Sequence, residues 1–214
     1  RELVRPVGEP AGAALRREQG DHRVLSVTSE TLVDGSVREE AGELEGLPGA
    51  RLATTYVPTG DEIALTQTAE SPEPGVWGVK WAIERIPLDM NVLVPNTSGI
   101  RLTANSPGAN RDFDYPTGWE CQLVIVQGEG FGFWVWAEDA EGRFKRLRVE
   151  RDQEGWRLVF TTMPYAPFAD KTACDSVRWR IGTYEGDWRV PAKRYRDWAE
   201  TAFTDLHDRY RTAE

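Results

Sequence analysis

Between Arg23 and Tyr184 the chain alternates apolar and polar residues in short runs, and turn-forming residues break the runs at regular intervals. A period of two is the signature of strands, each with one buried face. The pattern predicts strands over Arg23–Thr28 and Thr31–Arg38, with Asp34-Gly35 as a turn dipeptide between apolar residues. Arg51–Val57 and Glu62–Ala69 follow, joined by Pro58-Thr59-Gly60-Asp61, and then Gly78–Ile86, Val92–Val94 and Arg101–Ala104. Ser106 to Gly118 reads as a loop. Trp119–Gln127, Phe131–Glu138, Arg143–Val149, Trp156–Thr161 and Ser176–Tyr184 complete the series. Residues 1–20 show no strand pattern and read as a loose lead-in, or as one holding a short edge strand around Leu3-Val4. No stretch between strands has helical period and length, so the fold class is all-β, a sandwich or barrel, and not a parallel βαβ sheet.

One run departs from simple alternation. In "GFGFWVWAED", Phe131, Phe133, Val135 and Ala137 share one face, and Gly132, Trp134, Trp136 and Glu138 share the other. Large apolar groups on both faces predict a central strand with a second layer packed outside the sandwich.

The end of the chain changes period. Pro191 suits the first turn of a helix, and Asp187 is a reasonable N-cap. Ala192, Tyr195, Trp198, Ala199, Ala202, Phe203, Leu206 and Tyr210 then recur at spacings of three and four, an apolar stripe extending to about Arg211. Such a stripe must be covered by the sandwich, by a second copy of the chain or by a following domain.

Composition narrows the chemistry. The net charge of -9 disfavours nucleic acid and anionic membrane surfaces as partners. No apolar run approaches the length of a membrane span. The sequence starts at Arg1 without an initiating Met or a leader pattern, which reads as a processed chain or a fragment. Cys121 and Cys174 have no metal-ligand spacing and read as two buried thiols or one bridge. No metal and no cofactor is expected. The two histidines, His22 and His207, have no strand-core context, which argues against epimerase chemistry that needs an imidazole acid. Nine tryptophans fit both a large β core and sugar binding, since an indole face can stack on a pyranose.

Several segments in order resemble a known architecture. Gly186-Asp187-Trp188, Ala192, Tyr195-Arg196 and Trp198 look like a connector helix. "VPNTSGIRL" from Val94, "YPTGWECQLVIV" from Tyr115 and "GFGFWVWAEDAEGRFKRLRV" from Gly130 are similar to the strands preceding it. Residues before Val94 match only in strand character. The group resembled is the glycoside-hydrolase-like proteins in which an N-terminal galactose-mutarotase-like β-supersandwich precedes a (β/α)₈ catalytic barrel, as in endo-α-N-acetylgalactosaminidases. The resemblance implies a large antiparallel supersandwich over residues 1–185 and a connector over 186–214, toward a barrel that carries the catalytic carboxylates. It also implies no catalytic residue in this chain, carbohydrate as partner, and an extracellular or periplasmic setting.

Candidate substrate contacts are Tyr115 and Trp119 in the polar loop, Trp136 on the double-faced strand, and Glu138 and Asp139 at its end. Each has a structural alternative: rim packing for Tyr115 and Trp119, a covered outer face for Trp136, and a solvated strand end or turn capping for the acids. Adjacent carboxylates on a strand point to opposite faces, so Glu138 and Asp139 do not form a glycosidase pair. Gly128, Gly130 and Gly132 precede a strand and read as a hairpin turn, not a phosphate loop. A stand-alone carbohydrate-binding module and a dimerising scaffold are the two other functional classes the sequence allows.

Overall fold

The computed structural model describes residues 12–17, 20–108 and 110–203. The strands are β1 (Ala14–Arg17), β2 (Gly20–Thr31), β3 (Val37–Leu44), β4 (Arg51–Thr59) and β5 (Glu62–Glu70). They continue as β6 (Val76–Ile86), β7 (Asn91–Val94), β8 (Ile100–Leu102), β9 (Arg111–Tyr115) and β10 (Leu123–Gln127). The last are β11 (Phe131–Glu138), β12 (Lys145–Arg151), β13 (Trp156–Thr162), β14 (Ala173–Asp175) and β15 (Arg178–Glu185), before helix α1 (Arg189–Ala202).

All the strands join in one antiparallel sheet, in the order β8-β7-β10-β11-β15-β5-β4-β3-β2-β1-β6-β13-β12-β9, with β14 beside β5. The sheet closes over its own core as an all-β supersandwich. Its corner is β2: Gly20–Arg23 pair with β1, whereas Val24–Thr31 pair with β3. Register shifts around Ser26 mark the bulged stretch, and bulges bend and twist a strand.

The main core lies between the halves β7–β10–β11–β15–β5 and β6–β13–β12–β9. Val92, Val124, Val126, Val135, Ala137 and Trp179 face Trp81, Phe113, Leu147, Val149, Leu158 and Phe160 across it. Trp81 stacks on Phe160 with ring centroids 4.4 Å apart. A second apolar cluster fills the corner beneath Leu15, Val24, Leu44, Leu52 and Val79.

The alternation found most of these strands, and the differences have physical causes. The predicted loop from Ser106 to Gly118 contains β9. Its polar positions hide the strand from a hydrophobic pattern, but Asp112 and Asp114 pair with Arg148 and Arg146 on the neighbouring β12. Trp119 to Gln122 is not strand: the Trp119 N–H donates back to the Asp114 carbonyl, which turns the chain before β10 starts at Leu123. The lead-in contains β1, whose Leu15 is wholly buried between His22 and Val79. The Leu3-Val4 strand lies outside the described residues. The Asp34-Gly35 turn is present, but β3 begins only at Val37. Both cysteines are free thiols; Cys174 is buried and Cys121 half-buried. Burial pushes the Cys174 thiol up to about 12.

Helix α1 starts two residues earlier than Pro191, with Trp188 as the N-cap residue. Asp187 still acts at the helix start, accepting from the Arg189 N–H at 2.9 Å. The stripe residues Leu206 and Tyr210, and His207, lie outside the described residues.

Candidate functional site

The two halves of the sandwich have different outer faces. On the half carrying β11, the row Leu93–Ile125–Trp134–Gly182 crosses β7, β10, β11 and β15 in register. Trp134 and Trp136 stack along β11 with centroids 3.9 Å apart. Gly182 makes this possible, because a Cβ there would overlap the Trp134 ring. Gly132, read as part of the hairpin turn, lies inside β11, and a Cβ on it would collide with the Tyr184 ring.

Helix α1 covers this face. Tyr195 meets Trp136 edge-on at 5.9 Å, and Trp198 lies over Trp136 at 6.3 Å. Ala192 and Ala199 pack against the same cluster. The Tyr195 hydroxyl accepts from the Gln122 N–H at 3.1 Å, and burial raises its pKa. Arg194 lies 3.5 Å from Glu62 on β5, tying the polar side of the helix to the sheet. The second layer that the double-faced strand required is therefore the chain's own terminal helix. Beside the helix start, Phe131, Trp188 and Val190 remain exposed. Phe131 pairs with Glu185, and the Gly186 N–H donates to Gly130, so all three lie at one end of the sheet.

A buried ion pair lies at the other end of β11, just past Glu138. Lys145 is fully buried, and its Nζ lies 2.5 Å from Asp139 Oδ2. It also donates to the Arg143 carbonyl and lies 4.3 Å from the centre of the Tyr115 ring. Asp139 accepts further from the Glu141 and Arg143 N–H groups, which fixes the turn after β11. Burial pushes the Lys145 ammonium below its ordinary value, while the Asp139 carboxylate works against that push.

The sequence candidates thus separate. Tyr115 and Asp139 come together through Lys145. Trp119 is 0% exposed, donates Nε1–H to the Leu123 carbonyl and stacks on Trp179 inside the core. Trp136 is sealed under α1. Neither indole offers an open face for a pyranose. Glu138 forms ion pairs with Arg178 and Arg180. The turn-capping alternative describes Asp139, and core packing describes Trp119.

The outer face of the other half is open, concave and charged. A groove of about 850 Å³ runs over β1, β2, β6, β13, β12 and β9. Among the described residues six cations line it, Arg16, Arg23, Lys80, Arg146, Arg148 and Arg157, against four carboxylates, Asp21, Glu84, Asp112 and Glu150. Arg157 bridges Glu84 at 2.7 Å and Glu150 at 2.6 Å. Arg148 bridges Glu150 at 2.7 Å and Asp112 at 3.1 Å. Arg146 binds Asp114 through two nitrogens. Lys80 and Arg16 share Asp21, at 2.5 Å and 3.7 Å. Burial alone would raise Glu150, but its hydrogen bonds from Arg148 and Arg157 outweigh that and hold it below the ordinary carboxylate value. A carboxyl held ionised is a poor general acid. His22 is in register with Leu15, on the corner side of the sheet and away from this groove. No group of metal-ligating side chains occurs among the described residues. Sequence reasoning missed this groove because its residues come from six strands, and each strand alone reads as an ordinary polar outer face.

No protein-family model matches the sequence, and no curated protein matches it. The structure, by contrast, is similar to solved proteins. An α-N-acetylgalactosaminidase of Bifidobacterium bifidum, solved with GalNAc, superposes with a TM-score of 0.63 at 13% identity, over 92% of this chain and 34% of that one. An α-galactosidase of Lactobacillus brevis gives 0.54 at 9% identity, over 93% and 32%. A protein assigned as an aldose 1-epimerase of Escherichia coli gives 0.51 at 10% identity, over 82% and 80%. The chain spans about a third of the length of the two hydrolases. Its fold is the galactose-mutarotase-like β-supersandwich that also forms the N-terminal domains of these glycoside hydrolases.

Proposed function

We propose that this chain is a non-catalytic accessory domain of a glycoside-hydrolase-like protein, which supports a catalytic barrel and contributes to carbohydrate recognition. Residues 1–185 are the sandwich domain and 186–214 the connector. The observation that carries this reading is one-sided coverage: nearly all of this chain superposes on only a third of each hydrolase. The seating of α1 supports it, since the helix fixes the direction in which the chain leaves the sandwich. Phe131, Trp188 and Val190 beside the helix start supply an apolar contact for the barrel.

The groove supports a non-catalytic role as well. Its carboxylates are bridged by guanidinium and ammonium groups, and it has no imidazole among the described residues. The test is turnover by the purified chain. Aryl α-galactoside and aryl α-N-acetylgalactosaminide should remain uncleaved, and the anomers of galactose should equilibrate no faster than in buffer. Saturable turnover of either kind, retained through repurification, would overturn the reading.

A further inference from the structure

We propose that the charged groove binds an acidic saccharide, one whose sugars carry carboxylate or sulfate groups. The inference rests on the carbohydrate-recognition reading above and names the class of ligand.

The charge distribution is the first argument. The chain carries a net charge of -9, yet the six cations among the described groove residues balance the four carboxylates of the lining together with Glu45 and Asp114, which pair with Arg23 and Arg146. The negative charge of the chain therefore lies outside this face, which repels an anion less than the rest of the molecule does. One cation is also incompletely used. Arg16 sits at 3.7 Å from Asp21, and its Nε is buried with no hydrogen-bond partner among the described residues. A buried guanidinium nitrogen left unpaired is costly, and an anionic ligand in the groove would add negative charge beside it.

The lining chemistry is the second argument. No aromatic side chain among the described residues lines the groove. A neutral sugar recognised there would lack the stacking surface that sugar sites ordinarily supply. What the groove offers is guanidinium and ammonium groups, which suit carboxylate and sulfate oxygens.

The spacing is the third. Asp114, Arg146, Thr161, Lys80, Ala14 and Arg23 are cross-strand neighbours on β9, β12, β13, β6, β1 and β2, so they form one row across the sheet. Neighbouring strands are about 4.8 Å apart, which places Arg146, Lys80 and Arg23 roughly 10 Å from one to the next. Donors distributed in this way do not converge on a single small anion. They match a chain of sugars that carries acid groups at intervals.

The experiment is calorimetric titration of the chain with three hexasaccharides: oligogalacturonate for carboxylate, a heparin fragment for sulfate, and a neutral β-1,4-galactan. At least one acidic hexamer should bind and the neutral one should not. Binding of oligogalacturonate shows that carboxylate suffices, and binding of the heparin fragment alone assigns sulfate. Raised ionic strength and the double variant Arg146→Gln/Arg148→Gln should each weaken binding about tenfold. Arg38→Gln/Lys193→Gln, an equal charge change outside the groove, should leave it unchanged, and circular dichroism checks that both variants fold. Arg16→Gln gives a second probe of the site should the double variant misfold. Binding of the neutral hexamer alone overturns the acidic assignment and leaves carbohydrate recognition standing. Binding of none overturns both. Acidic binding that survives the groove variants overturns the site.

Discussion

The two outer faces of the sandwich are built on the same strand alternation and end in opposite states. Over β10, β11 and β15 the outward residues are mainly tryptophan, tyrosine and aliphatic groups, sealed by α1, with Arg178, Arg180 and Glu138 paired at the edge of the cluster. Over β6, β12 and β13 the outward residues are arginine, lysine and acids, linked in ion pairs and left open. The difference shows where each face contributes. Burying aromatic rings under a helix stabilises the fold, whereas exposed ion pairs add little to stability and remain available to a ligand.

Substitutions can break that contrast. Trp136→Ala should cost the most, about 3–5 kcal/mol in urea unfolding, because it empties a dry site between β11 and α1. Asp139→Ala should cost a similar amount, about 3–5 kcal/mol, since it leaves the Lys145 ammonium buried without its partner. Replacing Lys145 and Asp139 together with apolar groups should cost less than Asp139→Ala alone.

Arg148→Ala, in contrast, should move stability by no more than about 1 kcal/mol, because Asp112, Glu150 and Arg148 are all substantially solvated. A loss equal to that of Trp136→Ala would mean that the groove network is structural, and the contrast would fail. The smallest effect is expected at the helix start. Hydrogen bonds from the Arg189 side chain and N–H hold Asp187 at about 2, below its ordinary 3.8. Its folded value is the lower one, so its contribution is complete above pH 3.8 and is lost as pH falls through about 2. Helix content followed by circular dichroism should therefore drop less over this range in Asp187→Asn than in the unsubstituted chain.

Much of this was legible in the chain. The alternation over Arg51–Val57, Glu62–Ala69 and Phe131–Glu138 located β4, β5 and β11 to within a few residues. Aromatic residues on both faces of β11 required a covering layer, and the stripe of Ala192, Tyr195, Trp198 and Ala199 belonged to the helix that supplies it. Strands held by ion pairs were less visible. β9 alternates only weakly in hydrophobicity, and its neighbours become apparent only once β12 lies beside it. Among the candidate contacts, Trp119 illustrates the limit most clearly. An indole in a polar loop reads as a sugar platform or as packing at the sandwich rim, and the turn made by the Asp114 carbonyl instead directs it into the core.

Periodicity and composition determined what lies near in sequence: the strands, the terminal helix, the acidic charge and the scarcity of imidazole. These follow from residue spacing, because backbone geometry alone sets which side chains share a face. Tertiary structure decided which strands became neighbours, and so gathered six cations from five strands into one groove while sealing Trp136 beneath a helix. Pairing between strands distant in the chain is chosen by the packing of the whole core, and no local stretch of sequence carries that choice.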